Sequence, residues 1–309
     1  MSYLVGGTTG GAHGGARKRM YKKDNCSPGN SNVSGSCLDK DTILKIAHCL
    51  NKLKHTNNEI MHINTKQAPE SIHGDICKEI SKISNCSSEA CWIKIKFLMN
   101  ELGEHQDKFK KSFKPLMPDE WIRDYNEWLS NFEIEDSIKQ HLSTCKDFYF
   151  YGAVPIDFHD CSVSKLCRIN IKEHLKNGKT KIGIVFNTDP STESGEHWIS
   201  MYIDLVGHNF KFPSIYYFDS FGRKPPIQVI NLIKKIKKQS RTKTKKNKKK
   251  ELLYFYNDHS FQTENSQCGM YAIHFIKNMI NNTSFKDYLN MKLNDDLMIQ
   301  LRNKYFVRL

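Results

Sequence analysis

The sequence lacks any apolar run approaching the roughly 20 residues that carry a helix across a bilayer, so no membrane insertion is expected. It also lacks a basic stretch followed by an apolar one at its start. The chain begins MSYLVGGTTGG, no secretory signal is visible, and a soluble intracellular protein is expected. On that expectation the ten cysteines default to free thiols. None stands in the paired C-x2-C spacing that identifies a zinc site. Cys86-x4-Cys91 and His159-x-Cys161-x5-Cys167 come nearest, and structural or surface thiols rank ahead of a metal at both. No repeat of solenoid period is present. What the chain does have is enough apolar material for a core, 39% hydrophobic and 11% aromatic, which excludes wholesale disorder. Its 309 residues suffice for one large domain or two modest ones.

Acidic residues are missing from two stretches. Residues 17–23 (RKRMYKK) hold five Lys/Arg, and residues 234–250 (KKIKKQSRTKTKKNKKK) hold eleven. The formal charge of +14 therefore sits in these runs, and the rest of the chain sums to −2. Such runs read first as solvated segments. Binding of DNA through 234–250, by release of counterions from its phosphates, is the second reading.

Three regions follow. Residues 1–37, with eight of the 17 glycines, read as a disordered Gly-rich basic arm. Residues 38–115 read as a small helical arm domain. There TILKIAHCLNKL brings Ile43, Ile46, Leu50 and Leu53 to one helix face behind a cap at Asp39 or Asp41. Residues 75–101 suggest two more short helices with a polar break at Asn85–Ser88, and a charged stretch ending in Pro115 and Pro118 marks the boundary. Residues 116–309 read as α+β. Helices are expected over 119–130, Glu135–Thr144, 227–239 and Cys268–Ile280, with a last one capped by Asn294. Strands are expected over Lys181–Asn187, Trp198–Asp204, Ser214–Asp219 and Leu252–Tyr256, and the Lys-rich insertion 237–250 reads as a loop.

Four polar residues punctuate these elements. His197 precedes a strand, Asp219 ends the next, Gln262 follows the last, and Cys268 opens the apolar helix. Singly, each has a bland reading: an edge histidine, a turn former, a loop amide, a small core residue. Together they are the residue types that acyl transfer through a thiol requires. A helix N-terminus and a neighbouring imidazole both stabilise thiolate. A carboxylate on the far ring nitrogen fixes the imidazole tautomer. An amide side chain and the nucleophile's own N–H supply oxyanion donors, each worth roughly 3–4 kcal/mol in comparable sites. Gly269 removes a side chain where substrate backbone has to pass closely.

In order and spacing, His197-Trp198, Asp219-Ser220 and Gln262-x5-Cys268-Gly269 resemble the ubiquitin-like-protein cysteine proteases, the clan of the SUMO-deconjugating enzymes and of adenain, the adenovirus maturation protease. FNTDPSTESGEHWISMYIDLVG, IYYFDSFGRKPP and QTENSQCGMYAIHF are similar to the branch that processes polyproteins in African swine fever virus and other giant DNA viruses. The likeness covers roughly residues 140–309, and SSEACWI echoes that branch's helical arm domain. The resemblance implies a papain-like, adenain-type core: a mixed central sheet flanked by helices, preceded by the small N-terminal helical domain. It implies Cys268 as nucleophile, His197 as general base and acid, Asp219 as third triad member and Gln262 as oxyanion donor, with Gln267 left open as the alternative donor. It places Trp198 either as the roof of a narrow substrate channel or as a core aromatic. No metal and no other cofactor is implied.

A closed, flat channel admits only residues without side chains. The resemblance therefore implies cleavage after Gly-Gly, Gly-Gly-containing viral polyproteins as partners, and a virion and host-cytoplasm location in the viral factory. Two rivals stand beside it. One is a protease that removes ubiquitin or SUMO from host conjugates. The other is a basic nucleic-acid-binding virion protein with an inactive protease fold, against which the intact set of four residues argues. Gly6-Gly7, Gly10-Gly11 and Gly14-Gly15 lie in the chain's own arm. Self-processing after Gly7, Gly11 or Gly15, occupation of the channel, and a plain flexible tail stay open, as does the oligomeric state.

Overall fold

The computed structural model describes residues 25–29, 33–240 and 252–309. The Gly-Gly pairs of the arm and most of the lysine run lie outside the described residues. The chain divides into two compact units, one of Met1–Cys26, Asn30–Phe113 and Leu309, the other of Ser27–Gly29 and Lys114–Arg308.

In the first unit, α1 (Lys40–Leu53) starts where Asp39 accepts a hydrogen bond from the Thr42 amide at 2.8 Å. Its buried Ile43, Ile46 and Leu50 pack towards α2 (Pro69–Ile83), whose first position holds a proline with φ already suited to a helix. The polar break at 85–88 leads into a 3-10 turn, Glu89–Lys94, before α3 (Lys96–Leu102) and α4 (Gln106–Lys111).

Two expectations are corrected here. The arm is not disordered up to residue 37. A Cys26–Cys37 disulfide closes its described part, and buried Glu89 accepts hydrogen bonds from Ser36 Oγ at 2.5 Å and the Cys37 amide at 2.8 Å. Composition registers the glycines of this segment and not the anchor points. Nor are the ten cysteines all free: Cys86–Cys91 and Cys161–Cys167 are also disulfides, leaving Cys49, Cys77, Cys145 and Cys268 as thiols. Reasoning from compartment addresses where a chain works. It does not register that these partners, five to eleven residues apart, are brought within bonding distance by the fold. The same pairing consumes the sulfurs that stood nearest to a zinc spacing.

The second unit is built on a five-stranded sheet in the order β1 (Phe148–Val154), β2 (Lys181–Asn187), β3 (Trp198–Asp204), β4 (Ser214–Phe218) and β5 (Leu253–Tyr256). The outer pairs β1–β2 and β4–β5 are parallel and the inner pairs antiparallel, so the sheet is mixed. Alternation along the strands divides two cores. Tyr202, Tyr216 and Phe218 face one side, where α6 (Asn131–Lys139), α9 (Cys268–Ile280) and α11 (Asp295–Tyr305) pack. Met201, Ile203, Ile215 and Tyr217 face the other, covered by α8 (Ile227–Ser240). Short helices α5 (Glu120–Arg123), α7 (Ile171–Lys176) and α10 (Phe285–Leu289) complete the described set. None of the described helices is long and apolar enough to cross a membrane.

The helix expected over 119–130 is a single turn. At Asp124 the backbone becomes extended and the carboxylate takes the Asn126 amide at 2.8 Å, a local bond that competes with helix. The next helix begins at Asn131 instead of Glu135, because Ser130 and Glu133 form a capping box.

Candidate active site

Helix α9 is mostly apolar and buried from Cys268 to Ile276, which fixes its position against the sheet. No side chain caps its first turn, so the amides there keep free donors beside Cys268. His197 enters from the residue before β3 and Asp219 from the residue after β4; the two strands are antiparallel neighbours, so these ends meet. His197 Nε2 lies 2.8 Å from Asp219 Oδ1, and Cys268 is near enough to the ring to raise its pKa. Burial by itself lowers the imidazole pKa. The hydrogen bond to Asp219, and the neighbouring Cys268 and Asp219 as sources of negative charge, outweigh it and push the value up to about 9. Phe221 packs on the ring with centroids 5.1 Å apart, and its amide donates to the same Asp219 oxygen at 2.8 Å.

The two candidate oxyanion amides are engaged differently. Gln262 is tied to the residue following Asp219: Ser220 Oγ donates to Gln262 Oε1 at 2.6 Å, and the Gln262 amide N–H donates to the Ser220 carbonyl at 3.0 Å. Its Nε2 donates once, to the Glu264 carbonyl at 2.5 Å. Asp295 at the start of α11 holds the same loop, accepting from the Thr263 amide at 2.8 Å and the Glu264 amide at 2.9 Å. Gln267 instead donates to Ser266 Oγ at 3.0 Å and accepts from Arg302 Nε at 3.1 Å. Its oxygen is spent on Arg302 of α11 and its Nε2 on Ser266 and residues 125–126.

Trp198 is buried in the core, with its Nε1 donating to the Leu129 carbonyl at 2.8 Å, and it also lines a cleft of about 440 Å³ with Trp128, Leu129, Asn187, Glu193 and Gly195. Gly269 has a packing reason that the sequence did not suggest. A Cβ there would stand 2.9 Å from Leu129 Cβ and 3.4 Å from Trp198 Cδ1. The missing side chain lets Leu129 and Trp198 sit down on α9, so the space is filled by protein and not by a passing substrate.

Several contributors escaped the sequence reading. Asn257, at the end of β5, looks like an ordinary turn former, yet it is fully buried against Asp219. Arg302 is fully buried, 4.4 Å over the Trp121 ring, and donates to the Glu127 carbonyl at 2.7 Å. Burial lowers its pKa to about 10, which leaves it a cation at neutral pH. A signal for it existed: Met298, Leu301 and Arg302 share the buried face of α11, so an arginine interrupts an apolar stripe.

Residues 167–309, which hold every side chain named here except the stretch 121–129, match the family model for the Ulp1 protease family, C-terminal catalytic domain. The chain is 28% identical over 284 residues to a putative thiol protease of Acanthamoeba polyphaga mimivirus, covering 88% of this chain and 89% of that one. It is 24% identical over 237 residues to a cysteine protease of African swine fever virus, covering 72% and 83%. The counterpart from a second isolate bears the name SUMO-1 cysteine protease. The crystal structure of an African swine fever virus protease has a TM-score of 0.66 at 20% identity, over 95% of this chain and 99% of that one, so the fold is shared.

Proposed function

We propose that this chain is a cysteine protease of the Ulp1 family and a viral endopeptidase that matures virion polyproteins by cutting after Gly-Gly. The observation that carries the reading is the buried His197–Asp219 pair beside Cys268 at the uncapped start of α9. In the proposed reaction Cys268 Sγ attacks the scissile carbonyl carbon as the thiolate, its proton already held by the His197 imidazolium. The tetrahedral oxyanion is met by the Cys268 amide N–H and by the N–H that Gln262 has not spent. His197 returns its proton to the leaving amine as the C–N bond breaks, leaving a thioester. Water, deprotonated by His197, attacks that thioester and releases a carboxylate and the thiol. Asp219 holds the ring on Nε2, so Nδ1 is the nitrogen left for the thiol.

The Gly-Gly preference is supported by access. Cys268 is 2% exposed, and Trp198 and Leu129 are packed directly on the neighbouring Gly269. On this reading the substrate residues next to the sulfur carry little or no side chain. A panel of peptides varied at the two positions before the scissile bond tests this, with Cys268→Ala as control. Gly-Gly should exceed Ala-Ala by at least about 10²-fold in kcat/KM. Equal turnover of Ala-Ala peptides removes the specificity, and turnover by Cys268→Ala removes the nucleophile. A second reading, deconjugation, is favoured by the SUMO-1 cysteine protease name of a relative. SUMO and ubiquitin carrying a C-terminal electrophile separate the two: rapid labelling of Cys268 by either, with slow cleavage of polyprotein peptides, favours deconjugation.

A further inference from the structure

One wall of the cleft beside Trp198 is the segment between β2 and β3, which contributes Asp189, Pro190, Ser191, Glu193 and Gly195. The ends of that segment are fixed. Asn187 Oδ1 accepts from the Asp189 amide at 3.0 Å and the Glu196 amide at 3.2 Å, and the Thr188 amide donates to the His197 carbonyl at 2.9 Å. Its middle is held from outside. Among the described residues, the hydrogen bonds that leave 190–195 for another segment come from Ser191: its amide donates to Asp157 Oδ1 at 3.1 Å and its hydroxyl to Asp157 Oδ2 at 2.6 Å. Asp157 stands at the head of a closed turn. Its carbonyl accepts from the Asp160 amide at 2.9 Å, the Asp160 carbonyl accepts from the Ser164 amide at 3.1 Å, and the Cys161–Cys167 disulfide ties the turn shut. Cys161 is exposed, whereas Cys37 and Cys86 of the other two disulfides are buried. Exposed disulfides are the ones that exchange readily with small thiols. One bond at the surface thus restrains the turn whose aspartate restrains the cleft wall.

We propose that Asp157 is a positioning residue for substrate binding and that the Cys161–Cys167 disulfide sets it, so that the cleft wall is firm when this bond is intact and loosened when it is reduced. The inference rests on the cleft being the approach to Cys268 in the proposed cleavage. The switch is a two-electron exchange with a small thiol such as glutathione. Its thiolate attacks one sulfur of the pair, forming a mixed disulfide and releasing the other sulfur as thiolate. A second small thiol then displaces the first, and two protein thiols and one small-molecule disulfide result. The exchange leaves Cys268, His197 and Asp219 in place, so its effect falls on substrate binding and not on the bond-making steps.

The test measures KM and kcat of the full chain on a Gly-Gly peptide in reduced and in oxidised glutathione buffers. Alkylation by iodoacetamide counts free Cys268 in each, and peptide mass follows the state of Cys161–Cys167. Reduction should raise KM at least about fivefold, the lower end of coupling between sites, and leave kcat within about twofold. Cys161→Ser with Cys167→Ser should show the reduced KM in both buffers, although the other disulfides still respond to them. Asp157→Ala should raise KM to the same degree, and reduction should then add little, because both act through one contact. Asp157→Asn, which keeps an oxygen for one Ser191 donor, should fall between. Deuterium exchange over 188–195 reads the wall without substrate: reduction and Asp157→Ala should each speed it about tenfold, as the loss of one ordinary hydrogen bond implies. Should the serine pair unfold the chain, Asp157→Asn and the wild type in the two buffers carry the measurement. Equal wild-type KM in both buffers, a serine variant that still responds to them, or additive effects of Asp157→Ala and reduction overturns the proposal. If no Gly-Gly peptide is cleaved in either buffer, the fault lies with the cleavage reading. Exchange over 188–195 then decides the positioning by itself, and exchange unchanged by reduction overturns it.

Discussion

The side chain of Asn257 grips the backbone of Asp219 from both sides: Oδ1 accepts the Asp219 amide at 3.0 Å and Nδ2 donates to the Asp219 carbonyl at 2.6 Å. Nδ2 also donates to the His259 carbonyl at 3.1 Å, so strand end and following loop are tied at one point. Asn257 therefore positions the carboxylate that positions the imidazole. Asn257→Ala should lower kcat about 10²-fold with little change in KM, since displacements of about 1 Å cost that much at a reacting centre. Asn257→Asp should not rescue, because it has no N–H for the two carbonyls. A purely structural role would leave the pH profile unmoved. The expected outcome is an alkaline limb shifted to lower pH, read from kcat/KM between pH 6 and 10.

The second prediction concerns His197 itself. Its folded pKa of about 9 lies above the ordinary histidine value of 6.5. A raised pKa contributes stability that is fully present below 6.5 and is lost as pH rises through about 9. Activity that depends on the imidazolium should likewise hold its plateau through neutral pH and decline past about 9. Asp219→Asn keeps an oxygen for Nε2 but removes the charge, so the alkaline limb should move down by about 1–2 pH units. An unchanged limb would assign it to another group.

How legible all this was depended on the scale of the signal. Helix α9 was readable to its ends because a mostly apolar run beginning at Cys268 has few other ways to be buried. Strands β2, β3 and β4 were readable for the same reason, being buried along almost their whole length. Strand β1 was not: FYFYGAV bends at Gly152, φ 108°, where its register with β2 shifts. His197, Asp219 and Cys268 stood out because each sits at an element boundary, and Gln262 because it lies in the loop that leads from the last strand to Cys268. Their supporters did not, because the work of Asn257, Ser220 and Asp295 is done by hydrogen bonds between segments far apart in sequence. The three disulfides belong to the same class, since spacing alone does not say which sulfurs meet.

Gly269 offers a third test. Gly269→Ala places a methyl group 2.9 Å from Leu129 Cβ, and neither Leu129 nor Trp198 can retreat without opening the buried face of α9. Overpacking of this kind costs about 1–3 kcal/mol. Thermal unfolding should show that loss, and KM for Gly-Gly peptides should rise as Trp198 is pushed into the cleft it lines. Leu129→Ala in the same chain should recover part of both, because it removes the atoms that the new methyl group meets.

The last prediction lies in the first unit. Glu89 is 2% exposed and carries three partners: Ser36, the Cys37 amide, and His73 Nε2 at 2.8 Å. Burial lowers the His73 pKa, but hydrogen bonds to Cys77 and Glu89 outweigh it and push the value up to about 10. Breaking a buried pair by removing one charge costs about 3–5 kcal/mol, so Glu89→Gln should destabilise this unit on that scale at pH 6. The sign of the pH dependence follows from the raised value. The contribution of His73 is complete below 6.5 and disappears as pH rises through about 10. Urea unfolding of wild type and Glu89→Gln should therefore show a gap that narrows between pH 6 and 10.5. The gap should not close entirely, because Ser36 and the Cys37 amide remain bound to a carboxylate whatever the state of the imidazole. A gap constant across that range would assign the whole cost to those two bonds and none to the ion pair.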